Sequence, residues 1–242
     1  ICCIHYFSRK STIKLIPVLP SIKKLIYSCQ VGVSAFVGEI SSGVITVTFN
    51  MIILNLAGNT GVAAYGVVAN TSLVAVALFN GIAQGSQPLI SRSYGRGEEQ
   101  NVRSLLKMSL TTAFGLGVLL VLFIFFSAPA VTAVFNSEHD LQLAAYADSG
   151  LKLYFIGFLF AGINIVGTAA LSAVESVKYA FCASISRGFV ATIFFAFVLS
   201  ACFKMTGIWL AFPAAEFATM FITLSGLLYF TKQKGGMYHA KN

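Results

Sequence analysis

Gly207-Ile208-Trp209-Leu210-Ala211-Phe212-Pro213-Ala214-Ala215-Glu216-Phe217-Ala218-Thr219-Met220-Phe221-Ile222-Thr223-Leu224-Ser225-Gly226-Leu227-Leu228-Tyr229-Phe230 is apolar throughout, apart from a few hydroxyls and one carboxyl. At the 1.5 Å rise of an α-helix it reaches about 36 Å, enough to cross the roughly 30 Å hydrocarbon core of a bilayer. Glu216 therefore lies inside a span, with no basic residue within a helical turn of it in its own helix. Glu39 is placed in the same way between Ser28 and Leu56. A carboxyl at membrane depth costs several kcal/mol unless it is protonated, ion-bound or facing a wet cavity, so both acids are read as functional groups.

The rest of the chain repeats the pattern. Its 242 residues are 57% hydrophobic and 10% charged, with a mean hydropathy of +0.83, too apolar to hide inside one water-soluble globule. Charged and Gly-rich punctuation leaves six apolar segments, about 28–56, 62–91, 108–126, 143–174, 179–203 and 207–230. The expected fold class is an all-α membrane protein built as a six-transmembrane-helix bundle over residues 28–230. Residues 1–27 are read as a cytoplasmic N-terminal segment with an interfacial helix, since Lys23 and Lys24 flank Ile22, Leu25 and Ile26. Residues 231–242 form a cytoplasmic tail. Ala57–Gly61 and Tyr94–Gly97 are read as turns, and Ser137-Glu138-His139-Asp140 as a capping box before the fourth span.

The net charge of +8 is strung between the spans instead of gathered on one face, which excludes a nucleic-acid partner. Arg9, Lys10, Lys14, Lys23 and Lys24, then Arg92, Arg96, Arg103 and Lys107, then Lys178 with Arg187 near its loop, and finally Lys232, Lys234 and Lys241 fall on one side. Lys152 and Lys204 fall on the other. Positive residues mark the cytoplasmic side, so both termini are expected there. The cysteines, Cys2, Cys3, Cys29, Cys182 and Cys202, are odd in number and lack metal-ligand spacing. No nucleophile, acid/base pair or metal cluster has usable spacing, so neither an enzyme nor a cofactor is expected. The chain opens on Ile1 instead of Met, and is expected to be a fragment.

Polar and small residues within the spans outline a cavity. Gln84 and Gln87 share a helical face, while Asn50 and Asn164 add amides in the first and fourth spans. Pro88, with Gly81 and Gly85, is expected to kink the second span. Phe155, Phe158, Phe160 and Phe181 are candidate walls for flat organic cations. Each has a plainer role beside this one: interhelical hydrogen bonding for the amides and the two acids, and packing for the phenylalanines.

Phe36–Gly43, Gly61–Gly66, Gly81–Ser91, Phe160–Asn164 and the terminal span with Gly207–Ala211 and Pro213–Thr219 resemble the MATE (multidrug and toxic compound extrusion) transporters, in their bacterial multidrug-exporter branch. The resemblance covers the chain from about residue 20. It implies an antiporter of two six-helix lobes in the bacterial plasma membrane, which expels small organic cations, drugs among them, in exchange for H⁺ or Na⁺ as coupling ion. This chain would be the C-terminal lobe, with the N-terminal lobe lying outside it. Glu39 matches an acid that takes part in cation coupling in the family, and Glu216 the terminal-helix acid of this branch. Asn164 stands where some Na⁺-coupled members carry Asp, which favours protons, because one carboxyl among neutral amides makes a poor Na⁺ cage. Two other classes stay open: a lipid-linked saccharide flippase of the same superfamily, and a non-transporting remnant.

Overall fold

A computed structural model describes residues 21–137 and 139–239, without the side chains of residues 24, 27, 28, 30–35, 37–39, 41, 42 and 232–239. The chain divides into two compact units, Ile1–Gly32 and Val33–Asn242. In the first, the described residues are helical from Ile22. Among the described residues there is no strand. The helices are α1 (Ile22–Gly95), α2 (Glu99–Phe135), α3 (Leu141–Phe155), α4 (Phe158–Ala173), α5 (Val177–Ile185), a π-helix (Ser186–Val190) and α6 (Ala191–His239).

Two of these runs each join two helices across a non-helical residue, Gly58 in α1 and Lys204 in α6. The first and second expected spans run on as α1, the fifth runs on into the sixth through the π-helix and α6, and the fourth is divided into α3 and α4, bent by 48°. Gly43–Gly95, Glu99–Phe135 and Val177–Thr231 are each long and apolar enough to cross a membrane, and the bent pair makes a fourth. Length shows why α1 and α6 cannot be single straight spans. The 53 residues of Gly43–Gly95 would extend about 80 Å, well over twice a hydrocarbon core. One residue breaks each run: Gly58, with φ 65° and ψ −159°, and Lys204, with φ 51° and ψ −126°. Gly58 adopts a conformation nearly closed to residues with a Cβ, so the expected Gly-rich turn shrinks to a single reversal.

The non-helical backbone in α1 falls at Gly58, and Pro88 lies inside the helix, with open space around Gly81 and Gly85. One local expectation is corrected. Helix α3 is capped by Asp140 and not by Ser137: the Asp140 carboxylate accepts from the backbone N–H groups of Gln142 at 2.7 Å and Leu143 at 3.2 Å, satisfying donors that have no partner within the helix.

Inside Val33–Asn242 the core is aromatic and closely approached by glycines. Trp209 is buried, stacks on Tyr65 at 6.4 Å, and lies against Gly150. Phe155 and Phe158 are 1% and 0% exposed, so they are core residues and not cavity walls. Tyr154 stacks on Phe212 at 4.2 Å. Where Gly117 meets the Phe158 carbonyl, α2 and α4 touch backbone to backbone. The outer surface is the reverse of a soluble protein's: Phe126, Val134, Phe123, Leu119 and Phe221 face outward, a surface that suits hydrocarbon as its solvent.

The Lys204 reversal brings Gly207 against the Leu199–Ser200 backbone. Gly207→Ala is expected to lower stability by about 1–3 kcal/mol through overpacking, while Lys204→Gly raises it by up to about 1 kcal/mol by relieving the positive φ. Thermal unfolding in detergent checks both, and equal melting temperatures for the two variants would refute the local geometry.

Candidate functional site

Glu216 lies one turn beyond Pro213 on α6 and is 1% exposed. Its surroundings answer how a carboxyl is tolerated there. Arg187 donates from Nε to Glu216 Oε1 at 2.5 Å, and Asn164 donates from Nδ2 to Glu216 Oε2 at 2.7 Å and to its backbone carbonyl at 2.8 Å. Thr223 donates from Oγ1 to Asn164 Oδ1 at 2.9 Å, and the Thr219 and Ser186 hydroxyls lie 3.2 Å apart. Three elements thus contribute to one polar cluster: α4 through Asn164, the π-helix through Ser186 and Arg187, and α6 through Glu216, Thr219 and Thr223.

Local sequence accounts for the placement. Glu216, Thr219 and Thr223 recur at i, i+3 and i+7, one face of a helix, and all three are buried. Gly167 on α4 leaves room for Thr223, whose methyl would collide with a Cβ there. The π-helix inserts an extra residue into the turn that carries Arg187, a distortion that re-aims a side chain; the Thr192 hydroxyl donates to the Arg187 carbonyl at 2.5 Å. The Arg187 side chain is 31% exposed and that of Glu216 2%, so the carboxylate is enclosed while the guanidinium reaches the edge of the packed region. Tyr154 is itself buried.

The structure therefore brings together Glu216 and Asn164 from the predicted set, and adds Arg187, Ser186, Thr219 and Thr223. Asn50 and Gln87 are half-buried and Gln84 is exposed, and none of the three shares a hydrogen bond with the cluster. The Glu39 side chain lies outside the described residues. Arg187, read from the sequence as near the loop but within the 179–203 segment, lies on the π-helix inside the Val177–Thr231 run. The hydroxyl spacing on α6 was a readable signal; the partnership between residues 29 apart in sequence was not.

The MatE family model matches residues 35–198. The chain belongs to the MatE family. No curated protein matches it. Solved structures share the fold: an outward-facing multidrug resistance MATE family transporter of the MOP superfamily, at 17% identity and TM-score 0.86 over 95% of this chain and 52% of that one; a MATE in complex with MaL6, at 16% identity and TM-score 0.85 over 94% and 52%; and a MOP superfamily transporter from Pyrococcus furiosus, at 17% identity and TM-score 0.80 over 93% and 50%. The chain spans about half the length of the solved structures it matches. With its long apolar helices, this MatE chain is a multi-pass membrane protein.

In this MatE fold the Arg187–Glu216 pair is expected to be strongly coupled, because removing one partner leaves the other buried without compensation. Arg187→Met and Glu216→Gln should each lower stability by about 1–3 kcal/mol, and the double variant should lose less than their sum. A double-mutant cycle by thermal unfolding measures the coupling, and strict additivity would mean that the pair contributes nothing.

Proposed function

We propose that the chain is the C-terminal lobe of a cation-coupled efflux antiporter that exports small organic cations in exchange for H⁺ or Na⁺. The observation that carries the reading is the match of nearly the whole chain to half of a multidrug resistance MATE family transporter, joined to acids at membrane depth in the sequence. On this reading the helical stretches cross the bacterial plasma membrane six times, turning back at Gly58 and Lys204. Arg92, Arg96, Arg103 and Lys107 lie on the cytoplasmic side with both termini.

The two acids then take different parts. Glu216 is held by a guanidinium and an amide, which supports a bracing role joining α4, the π-helix and α6. Glu39 is left as the group whose charge is exchanged. A protonated Glu39 in one access state and a charged one in the other would make proton and organic cation compete, since burial favours the neutral acid and an arriving cation the carboxylate. Asn164, engaged by Glu216 and Thr223, belongs to the brace, and the contacts for substrate fall to residues such as Gln84, Gln87 and Asn50. The geometry gives the flippase reading less support, because it calls for basic groups free to hold a diphosphate, and Arg187 is already engaged.

Drug accumulation in cells producing the two-lobed protein, with pH and Na⁺ gradients imposed separately, tests this. Glu39→Gln is expected to lose export at least tenfold under the driving gradient, whereas Glu216→Gln should reduce the amount of folded protein more than the export per molecule. Full export by Glu39→Gln would overturn the coupling role.

A further inference from the structure

The bend between α3 and α4 lies against the proline inside α6. α3 ends at Phe155 and α4 starts at Phe158, turned by 48°. Across the break Gly157 N–H donates to the Tyr154 carbonyl at 3.0 Å, Leu159 N–H to Ile156 at 3.2 Å and Phe160 N–H to Gly157 at 3.0 Å. Each bond reaches back three residues instead of four, the tighter winding that marks a hinge or a strained stretch within a helix. Gly157 touches α6 at this point: a Cβ placed on it would lie 2.5 Å from the Phe212 ring and 3.1 Å from Pro213 Cα. Pro213 stands inside α6 and has no N–H to give the Trp209 carbonyl four residues back, so α6 lacks a bond at the level where it meets the bend.

The contacts that join these helices divide at the same level. Ahead of Pro213, Trp209 lies against Gly150 and Phe212 stacks on Tyr154 at 4.2 Å and 5°, so this part of α6 holds α3. After Pro213, Phe217 meets Phe160 edge to face at 5.1 Å, Asn164 donates to Glu216, and Thr223 donates to Asn164 and packs against Gly167, so this part holds α4. The Phe212 ring stands at the junction, 5.3 Å from Phe158 and against Gly157. Here α2 also approaches, backbone to backbone, where Gly117 meets the Phe158 carbonyl. A flexible point in one helix is of little use beside a stiff neighbour packed along it. Here both neighbours are weakened where they touch, and small residues at that level can absorb a change of angle.

We propose that Gly157 and Pro213 form one hinge across two helices, about which α3 with residues 207–212 of α6 turns as a body against α4 with residues 216–231, and that Phe212 is the wedge that sets the bend. The Arg187, Asn164 and Thr223 contacts around Glu216 all lie on the second body, so the motion passes beside that cluster and leaves it closed. The inference does not rest on the export reading. With 15 residues in α3 and 16 in α4, complete straightening of the 48° bend would lengthen the pair by about 4 Å end to end.

Electron–electron double resonance between spin labels tests the hinge, using the full chain in lipid nanodiscs with its native cysteines replaced. Gln142, Glu175 and Ser225 are exposed and can carry labels. Gln142→Cys on α3 with Glu175→Cys just past α4 reads the bend, and Glu175→Cys with Ser225→Cys on α6 reads a distance within the second body. The spread of distances across the bend is expected to be at least twice that of the within-body pair. Pro213→Ala, which restores an N–H on the other helix, should narrow the Gln142–Glu175 spread at least twofold and leave the within-body distance unchanged. Phe212→Ala, which removes the wedge without altering the α6 backbone, should lengthen the mean Gln142–Glu175 distance by about 2–4 Å; it also covers the case in which Pro213→Ala misfolds. Equal spreads for the two pairs in the parent would overturn the hinge. A Gln142–Glu175 distribution unmoved by Pro213→Ala would overturn its sharing between helices, and one unmoved by Phe212→Ala would overturn the wedge. Export is not read in this experiment, so its failure would leave the coupling role of Glu39 standing.

Discussion

Glu216 has to be compensated, and much of this lobe is arranged around that need. An ionised carboxyl withdrawn from water carries a penalty of several kcal/mol, which one partner seldom offsets. Here Arg187 supplies the countercharge and Asn164 a neutral donor to the second oxygen. Satisfying the acid therefore fixes the distance and rotation of α4, the π-helix and α6 together. The glycine at 167 and the hydroxyls of Thr219 and Thr223 continue the same contact along α6. Because interhelical packing in lipid gains little from hydrophobic burial, such polar contacts and close glycine approaches determine which helices meet.

The two polar sites of the lobe differ in how far they are satisfied. Around Glu216 each carboxylate oxygen has a donor, so the cluster has little bonding capacity left for a ligand. Beside Asp148 and Thr132 two atoms lack partners, and a cavity adjoins them. A closed network rigidifies the helices it joins, whereas unpaired buried atoms are a cost to stability. The family alone did not distinguish these sites; their hydrogen-bond inventories did.

Sequence was most informative where the physics is one-dimensional. The all-helical class, the outward apolar surface and the turn within Ala57–Gly61 follow from apolar run lengths and Gly-rich punctuation. It misled where backbone alternatives compete locally. Lys204 took a conformation expected of glycine, and Asp140 displaced Ser137 as the cap of α3. It could not reach pairings set by tertiary structure. The partner of Arg187 is not legible until the π-helix carries it to Glu216, and Thr132 and Asp148 come to line one cavity only when α2 and α3 are packed.

The π-helix also changes which kinds of sequence change the lobe can absorb. In an α-helix one residue corresponds to about 100° of rotation, so the aim of Arg187 toward Glu216 depends on the count of residues between α5 and α6 as much as on the side chains themselves. Substitutions within Ser186–Val190 leave that count intact. A one-residue deletion there would restore regular helix and swing the downstream chain through roughly a third of a turn, separating the guanidinium from its acid without altering either. The segment thus stores its pairing in chain register, a property invisible to any comparison that scores residues position by position.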